Sequence, residues 1–161
     1  MPTKDEQATD LFRWLSEHAA LDSAIRGEEQ GWFRLVWTRV LVALGDEPIK
    51  YLDGKLDGEW GAFTIDLMVY TPSRLVRVTG TGTDENPQVR VWTYSRRLLQ
   101  QLDIDGGAPY AGSVAPSWPG RVVCTATYPD EKLRLPERLT DTSQRAHFLE
   151  FLPSLLADLE P

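Results

Sequence analysis

Trp60–Gly80, WGAFTIDLMVYTPSRLVRVTG, is the stretch that decides the fold. Phe63, Ile65, Leu67 and Val69 alternate with Thr64, Asp66, Met68 and Tyr70, the period of two that a half-buried strand requires. Thr71-Pro72-Ser73 then interrupts the run, and Pro72, with φ fixed and no N–H for a ladder, suits a turn. From Arg74 to Thr79 the alternation resumes, with Val76 and Val78 on one face and Arg77 on the other. A strand–turn–strand hairpin is expected.

Short apolar runs punctuated by turn residues surround it. Ile49–Leu56 is expected as a strand ending at the Asp57-Gly58 turn signal, and Gly80–Pro87 as a polar loop. Val89–Tyr94 forms a further strand beside Leu75–Thr79, and Leu98–Ile104 reads as a strand or a helical turn, with the strand favoured. Asp105–Gly120, rich in Gly and Pro, is a long irregular loop of the kind often used for function. Strands at Arg121–Tyr128 and Lys132–Leu135 close the β region.

Helical spacing holds both ends of the chain. Thr3-Lys4-Asp5-Glu6 fits a capping box, followed by Ala8, Leu11, Phe12, Leu15 and Ala19 in a helix to about Ala20. Residues 21–27 form a connection. In Glu28–Leu44 a helix collects Phe33, Val36, Trp37, Val40, Leu41 and Leu44 on one stripe, with Arg34 and Thr38 opposite and Gly45 as the cap. The last helix starts at Asp141 or Thr142 and carries Phe148, Leu149, Leu152, Leu155, Leu156 and Leu159, with a kink or restart expected near Leu152 because Pro153 removes a hydrogen bond.

Helices and strands kept in separate runs predict an α+β fold with an antiparallel sheet of six or seven strands. One domain over residues 1–161 is expected, comprising a helical pair (1–46) and a sheet with its closing helix (47–161). The single Cys124 allows no intramolecular disulfide. The polar start MPTKDEQATD is unlike a signal peptide, and no apolar run approaches the ~20 residues of a membrane span. A cytoplasmic protein without membrane contact is expected.

The formal charge of −7 disfavours general nucleic-acid binding. That charge is uneven. Residues 1–30 hold three basic groups against seven acidic ones, net −4, whereas residues 72–100 hold Arg74, Arg77, Arg90, Arg96 and Arg97 against Asp84 and Glu85, net +3.

No catalytic, metal or cofactor constellation emerges. Cys124, His18 and His147 lack metal-ligand spacing, and Cys124 within an apolar strand suits an inert core thiol better than a nucleophile paired with His147. Gly80-Thr81-Gly82-Thr83 has strands on both sides and lacks the Lys-Ser/Thr and following helix of a phosphate loop. Glu59 and Asp66 read as solvated strand carboxylates. The aromatic residues offer more: Trp92 and Tyr94 share a strand face with Arg90, and Arg77 falls on the same sheet face. Such a strip can bind a partner or lie beneath the N-terminal helices, and their need to bury a stripe favours the covered arrangement.

Val69-Tyr70-Thr71-Pro72-Ser73-Arg74-Leu75-Val76, with its T-x-x-R-L turn, and the closing helix from Thr142 with Phe148 and Leu152 resemble the bacterial pleckstrin-homology-like barrels over about 110 residues. That resemblance implies a strongly bent antiparallel sheet or barrel plugged by the C-terminal helix, and a non-enzymatic scaffold for protein or lipid contacts. The basic loop of the lipid-binding members is missing, since Asp53–Trp60 holds one Lys against three acidic residues. The expected function is a non-catalytic module for a protein partner, with Arg77, Arg90, Trp92, Tyr94 and Arg96 as the candidate contact residues and no cofactor. Two alternatives are a small-molecule protein or enzyme with a pocket between sheet and helices, and nucleic-acid binding through Arg90, Trp92 and Arg96.

Overall fold

The alternation on either side of Pro72 becomes two nine-residue strands, with Leu67 opposite Val78 and Tyr70 opposite Leu75. The computed structural model of the chain describes residues 3–17, 31–59, 62–83, 85–106, 122–137 and 142–160. The expected helical residues 18–20 and 28–30, the 21–27 connection, His18, Trp60, most of the 105–120 loop and the Asp141 cap lie outside the described residues.

Among the described residues the elements are α1 (Lys4–Glu17), α2 (Gly31–Leu44), β1 (Tyr51–Glu59), β2 (Ala62–Tyr70), β3 (Arg74–Gly82), β4 (Pro87–Ser95), a 3-10 turn (Arg96–Leu98), β5 (Gln101–Gly106), β6 (Val122–Thr127), β7 (Lys132–Leu135) and α3 (Thr142–Ala157). The fold is α+β, with antiparallel sheets ordered β1-β2-β3-β4 and β5-β6-β7. The chain divides into two compact units, Met1–Arg96 and Arg97–Pro161.

In the first unit, every second side chain of the four-stranded sheet joins one core. Leu52 and Leu56, Phe63 to Val69 by twos, then Val76 and Val78 are buried on one face, with Val89 and Val91 packed at its margin. The helices supply the other half of that core: Leu11 and Leu15 from α1, and Trp32, Val36, Val40 and Leu44 from α2. Trp32 stacks flat on Phe63, with centroids 4.0 Å apart and planes at 11°. The α2 stripe is therefore rotated from the expected one toward Trp32, leaving Phe33, Trp37 and Leu41 half-buried. Spacing of four throughout (32, 36, 40, 44) keeps the buried line on one side of the helix. The capping box forms as expected, Thr3 N–H donating to Glu6 Oε2 at 2.6 Å and Glu6 N–H to Thr3 Oγ1 at 3.2 Å. The Thr3 N–H, then its hydroxyl, hold the Glu6 carboxyl below the ordinary range.

The β2–β3 turn is clamped from outside the sheet. Glu47, between α2 and β1, accepts from Thr71 Oγ1 at 2.6 Å, Ser73 N–H at 2.9 Å and Ser73 Oγ at 2.5 Å, with Arg74 Nε at 3.5 Å. Partial burial pushes the Glu47 carboxyl up, but the Ser73 and Thr71 donors and the Arg74 charge outweigh it and hold the group below its ordinary 4.5. Arg96 adds a second tie, donating to the Thr71 carbonyl at 2.8 Å.

Two expected turns move. Asp57-Gly58 lies within β1, paired with Thr64 and Phe63, and Gly80–Gly82 lies within β3, so the polar loop is shorter than the sequence suggests. Both glycine-containing stretches read as turn or loop signals, yet an in-strand glycine equally permits close backbone approach: a Cβ on Gly80 would stand 2.8 Å from the Gln88 carbonyl oxygen.

The second unit carries the three-stranded sheet and α3. Cys124 and Ala126 share a face with Leu133 and Leu135, and all four are buried. In α3 the buried line is Gln144, Phe148, Phe151 and Leu155, while Leu156 and Leu159 are 41% and 40% exposed. The expected stripe is thus turned toward Phe151. Pro153 does not restart the helix, which runs unbroken through it with the proline ring exposed.

Candidate functional site

Antiparallel register fixes which side chains share a face. Asp53, Met68, Arg77 and Trp92 form one cross-strand row, and Lys55, Asp66, Thr79 and Arg90 form the next. Both rows lie on the sheet face opposite the one that α1 and α2 bury. The covered arrangement expected for the Arg–aromatic strip is therefore wrong: the helices take the Val76, Val78, Val89 and Val91 side. That side offers branched apolar groups on neighbouring strands, whereas the Arg90–Tyr94 side would oblige the helices to desolvate a guanidinium.

Arg77 and Arg90 both stand over the Trp92 ring, their guanidinium carbons 5.7 Å and 4.7 Å from its centroid. The two arginines are held very differently. Arg77 is buried, and its Nη1 donates to Asp66 Oδ1 at 2.8 Å and to the Leu67 carbonyl at 2.7 Å. Its partner carboxylate is 40% exposed, against 5% for the Arg77 side chain. Arg90 is exposed, and Trp92 and Tyr94 are half-buried. Arg96, the fifth expected contact residue, is buried at the turn, where it serves the Thr71 carbonyl. Structure thus brings Arg77, Arg90 and Trp92 together, keeps Tyr94 on their face, and assigns Arg96 to the scaffold.

The same face holds a buried carboxylate, within the expected Ile49–Leu56 strand, that the sequence did not mark as a site residue. Asp53 accepts from Tyr51 Oη at 2.7 Å and from Gly54 N–H at 2.6 Å, and both Asp53 and Tyr51 are fully buried. The one available signal was the alternation of Tyr51, Asp53 and Lys55 against Leu52 and Leu56.

Other candidates stay dispersed. Burial, reinforced by the Asp105 charge, pushes the Cys124 thiol up to about 11, the behaviour of an unreactive core group. Asp66 sits opposite Lys55 while Glu59 pairs with Ala62, four positions further along β1, or about 13 Å. Between the helices and the sheet the residual space is about 20 Å³, lined by apolar side chains such as Leu11, Val36, Trp37 and Leu67. One water at most would fit there, with no polar group to hold it. No metal-binding group of three or more ligands occurs among the described residues, and no described helix is long and apolar enough to cross a membrane. Comparison with family models, with curated proteins and with solved structures gives no match.

Proposed function

We propose that the chain is a non-catalytic interaction module that meets a protein partner through the Arg77–Trp92–Arg90 face. The observation that carries this is the preparation of Trp92: a buried, doubly bonded Arg77 holds one side of its surroundings in place while the exposed Arg90 remains free to reach a partner. Tryptophan and arginine together are the side chains that most often concentrate binding energy at protein interfaces. Four strands, then three, then one closing helix also support the likeness to a pleckstrin-homology-like domain, and with it the scaffold function and the bent sheet.

A ligand pocket between the sheet and α1 or α2 is disfavoured by a space of about 20 Å³, far below the ~300–1,000 Å³ of small-molecule sites. Nucleic-acid binding is disfavoured because Arg77 and Arg96 are buried, leaving Arg90 as the exposed arginine of the strip.

The test is capture of partners from the source cell on immobilised wild-type protein, with cross-linked residues mapped. A partner cross-linked beside Trp92, lost in both Trp92→Ala and Arg90→Glu and retained by Arg13→Glu, is expected. Captured proteins that are the same for all four chains would rule the face out.

A further inference from the structure

The edge of β4 is the second feature of this region, and the register fixes which way its main-chain groups point. Arg96 N–H donates to the Ser73 carbonyl at 2.9 Å, one step beyond the Arg74–Ser95 pair in the register. Antiparallel pairs alternate between hydrogen-bonded and non-hydrogen-bonded positions. Tyr94, Trp92 and Arg90 therefore turn their amides toward β3, and Thr93, Val91 and Val89 turn theirs away. An independent contact agrees: Arg39 of α2 donates from Nη1 to the Val89 carbonyl at 2.5 Å. β4 ends the sheet, runs nine residues and contains no fully buried residue. Among the described residues the outward main-chain groups of Val91 and Thr93 have no turn, loop or side-chain partner.

Charge says what this edge can accept. α2 packs against β3 and β4, and neither Gly31–Leu44 nor Pro87–Ser95 contains an Asp or Glu, although the whole chain carries −7. Arg34 and Arg39 on α2 and Arg90 on β4 are all exposed. Open strand edges invite pairing by another chain.

We propose that this edge receives an extended acidic segment of the partner as a fifth strand antiparallel to β4, its carboxylates meeting Arg39 and Arg90. This deepens the interaction-module reading and rests on it. A second copy of the chain is the poorer occupant. Self-pairing of β4 would gather the Arg39 and Arg90 of both copies with no acidic residue on either strand to balance them, and like charges at an interface work against association.

The test uses the full chain and a labelled peptide of about eight residues repeating Glu-Glu-Thr-Thr, long enough to match β4 and with carboxylates on both faces of a strand, with the matching Lys–Thr peptide as control. Anisotropy reports binding, and amide hydrogen exchange reports its place. Expected are binding by the acidic peptide alone, affinity that falls with salt, and slowed exchange at Val91 and Thr93. Thr93→Pro, which removes only an outward N–H at a strand edge, should weaken binding about tenfold with the melting temperature unchanged. Should that variant fold poorly, the wild-type exchange pattern decides alone. Binding lost in Trp92→Ala with Val91 and Thr93 still exchanging freely overturns the edge proposal and leaves the Trp92 face standing. No binding at about 1 mM peptide, or equal binding of the Lys–Thr peptide, overturns it as well. Protection of the two amides by raising protein concentration without peptide overturns it in favour of a second copy.

Discussion

Replacing Glu47 by alanine would release the β2–β3 turn from the segment between α2 and β1. Three donors aim at this carboxylate: Thr71 Oγ1 at 2.6 Å, Ser73 N–H at 2.9 Å and Ser73 Oγ at 2.5 Å. Hydrogen bonds to a charged group are worth ~1.5–3 kcal/mol each where water is excluded. Ser73 is exposed, so water recovers most of its two bonds once the carboxylate is gone. Thr71 is fully buried, and its hydroxyl can turn only to the Arg74 carbonyl at 3.2 Å. The Arg74 ion pair at 3.5 Å is nearly half exposed on the arginine side and adds little. About 2–3 kcal/mol is therefore expected for Glu47→Ala, and about half of that for Glu47→Gln, whose amide keeps one acceptor.

The pH dependence follows from the sign of the shift. The folded carboxyl titrates below its ordinary 4.5, so its contribution is fully present above that value and is lost as pH falls through the folded pKa. Urea melts of wild type, Glu47→Ala and Glu47→Gln at pH 7 and near pH 3 measure this directly. The gap between wild type and Glu47→Gln should narrow in acid. A Glu47→Ala cost below about 0.5 kcal/mol at pH 7, or a gap that does not change with pH, would refute the clamp.

Four further outcomes are expected. Phe148→Ala, at a fully buried position, should cost ~3–5 kcal/mol, whereas Leu156→Ala, 41% exposed, should cost under about 1; similar costs in denaturant melts would contradict the α3 stripe. Gly54→Ala in β1 should be strongly destabilising, because its φ of +142° suits glycine and a Cβ would lie 2.2 Å from the Asp66 carbonyl oxygen; an unchanged melting temperature would show that β1 is bent differently. Cys124 should resist thiol reagents at neutral pH in the native state and react freely in urea, and stability should fall as pH rises from its ordinary 9.0 toward about 11, because the unfolded thiol ionises first. Arg77→Ala should cost ~2–4 kcal/mol, since it strands a buried carbonyl and half-exposed carboxylate, and Arg90→Ala under about 1 kcal/mol, since its site is wet; equal costs in melts would show that the two arginines are not held differently.

The hairpin was legible because its evidence is local: Phe63 to Val69 and Val76 to Val78 repeat by twos, and Pro72 stands where the chain must turn. The face chosen by the helices was legible too, but only if Val89 and Val91 are weighed against Arg90 and Trp92 as opposite sides of one strand. Judging the aromatics by their need for cover pointed to the wrong side. The Glu47 clamp left no trace in the sequence. Its partners, Thr71 and Ser73, lie a helix-to-hairpin distance away in the chain, and Glu47 itself stands in an ordinary Asp46-Glu47-Pro48 loop. Burial of Arg77 and Arg96 was hidden for a related reason, because arginines are mostly exposed and carbonyl acceptors such as those of Leu67 and Thr71 become available only through tertiary placement. The helix stripes were displaced toward Trp32 and Phe151 because several apolar residues compete for the same side, and the partner surface decides among them.

Charge patterning shows how far such inference reaches when local and tertiary information meet. The absence of acidic residues from Gly31–Leu44 and from Pro87–Ser95 is visible by inspection, yet each stretch alone reads as an apolar helix or an ordinary strand. Separated by three strands, they give no reason to be considered together. Packing of α2 on β3 and β4 makes them one surface, and the Arg39 bond to the Val89 carbonyl ties the helix to the strand. On that surface the alternation that buries Val89 and Val91 does two further things. It sends Arg90 and Trp92 to the face opposite the helices, and it leaves the main chain of Val91 and Thr93 turned outward. Side-chain face and main-chain edge are thus set by one register, so a slip of a single residue in β4 would turn Arg90 toward the helices and the Val91 and Thr93 amides toward β3 together.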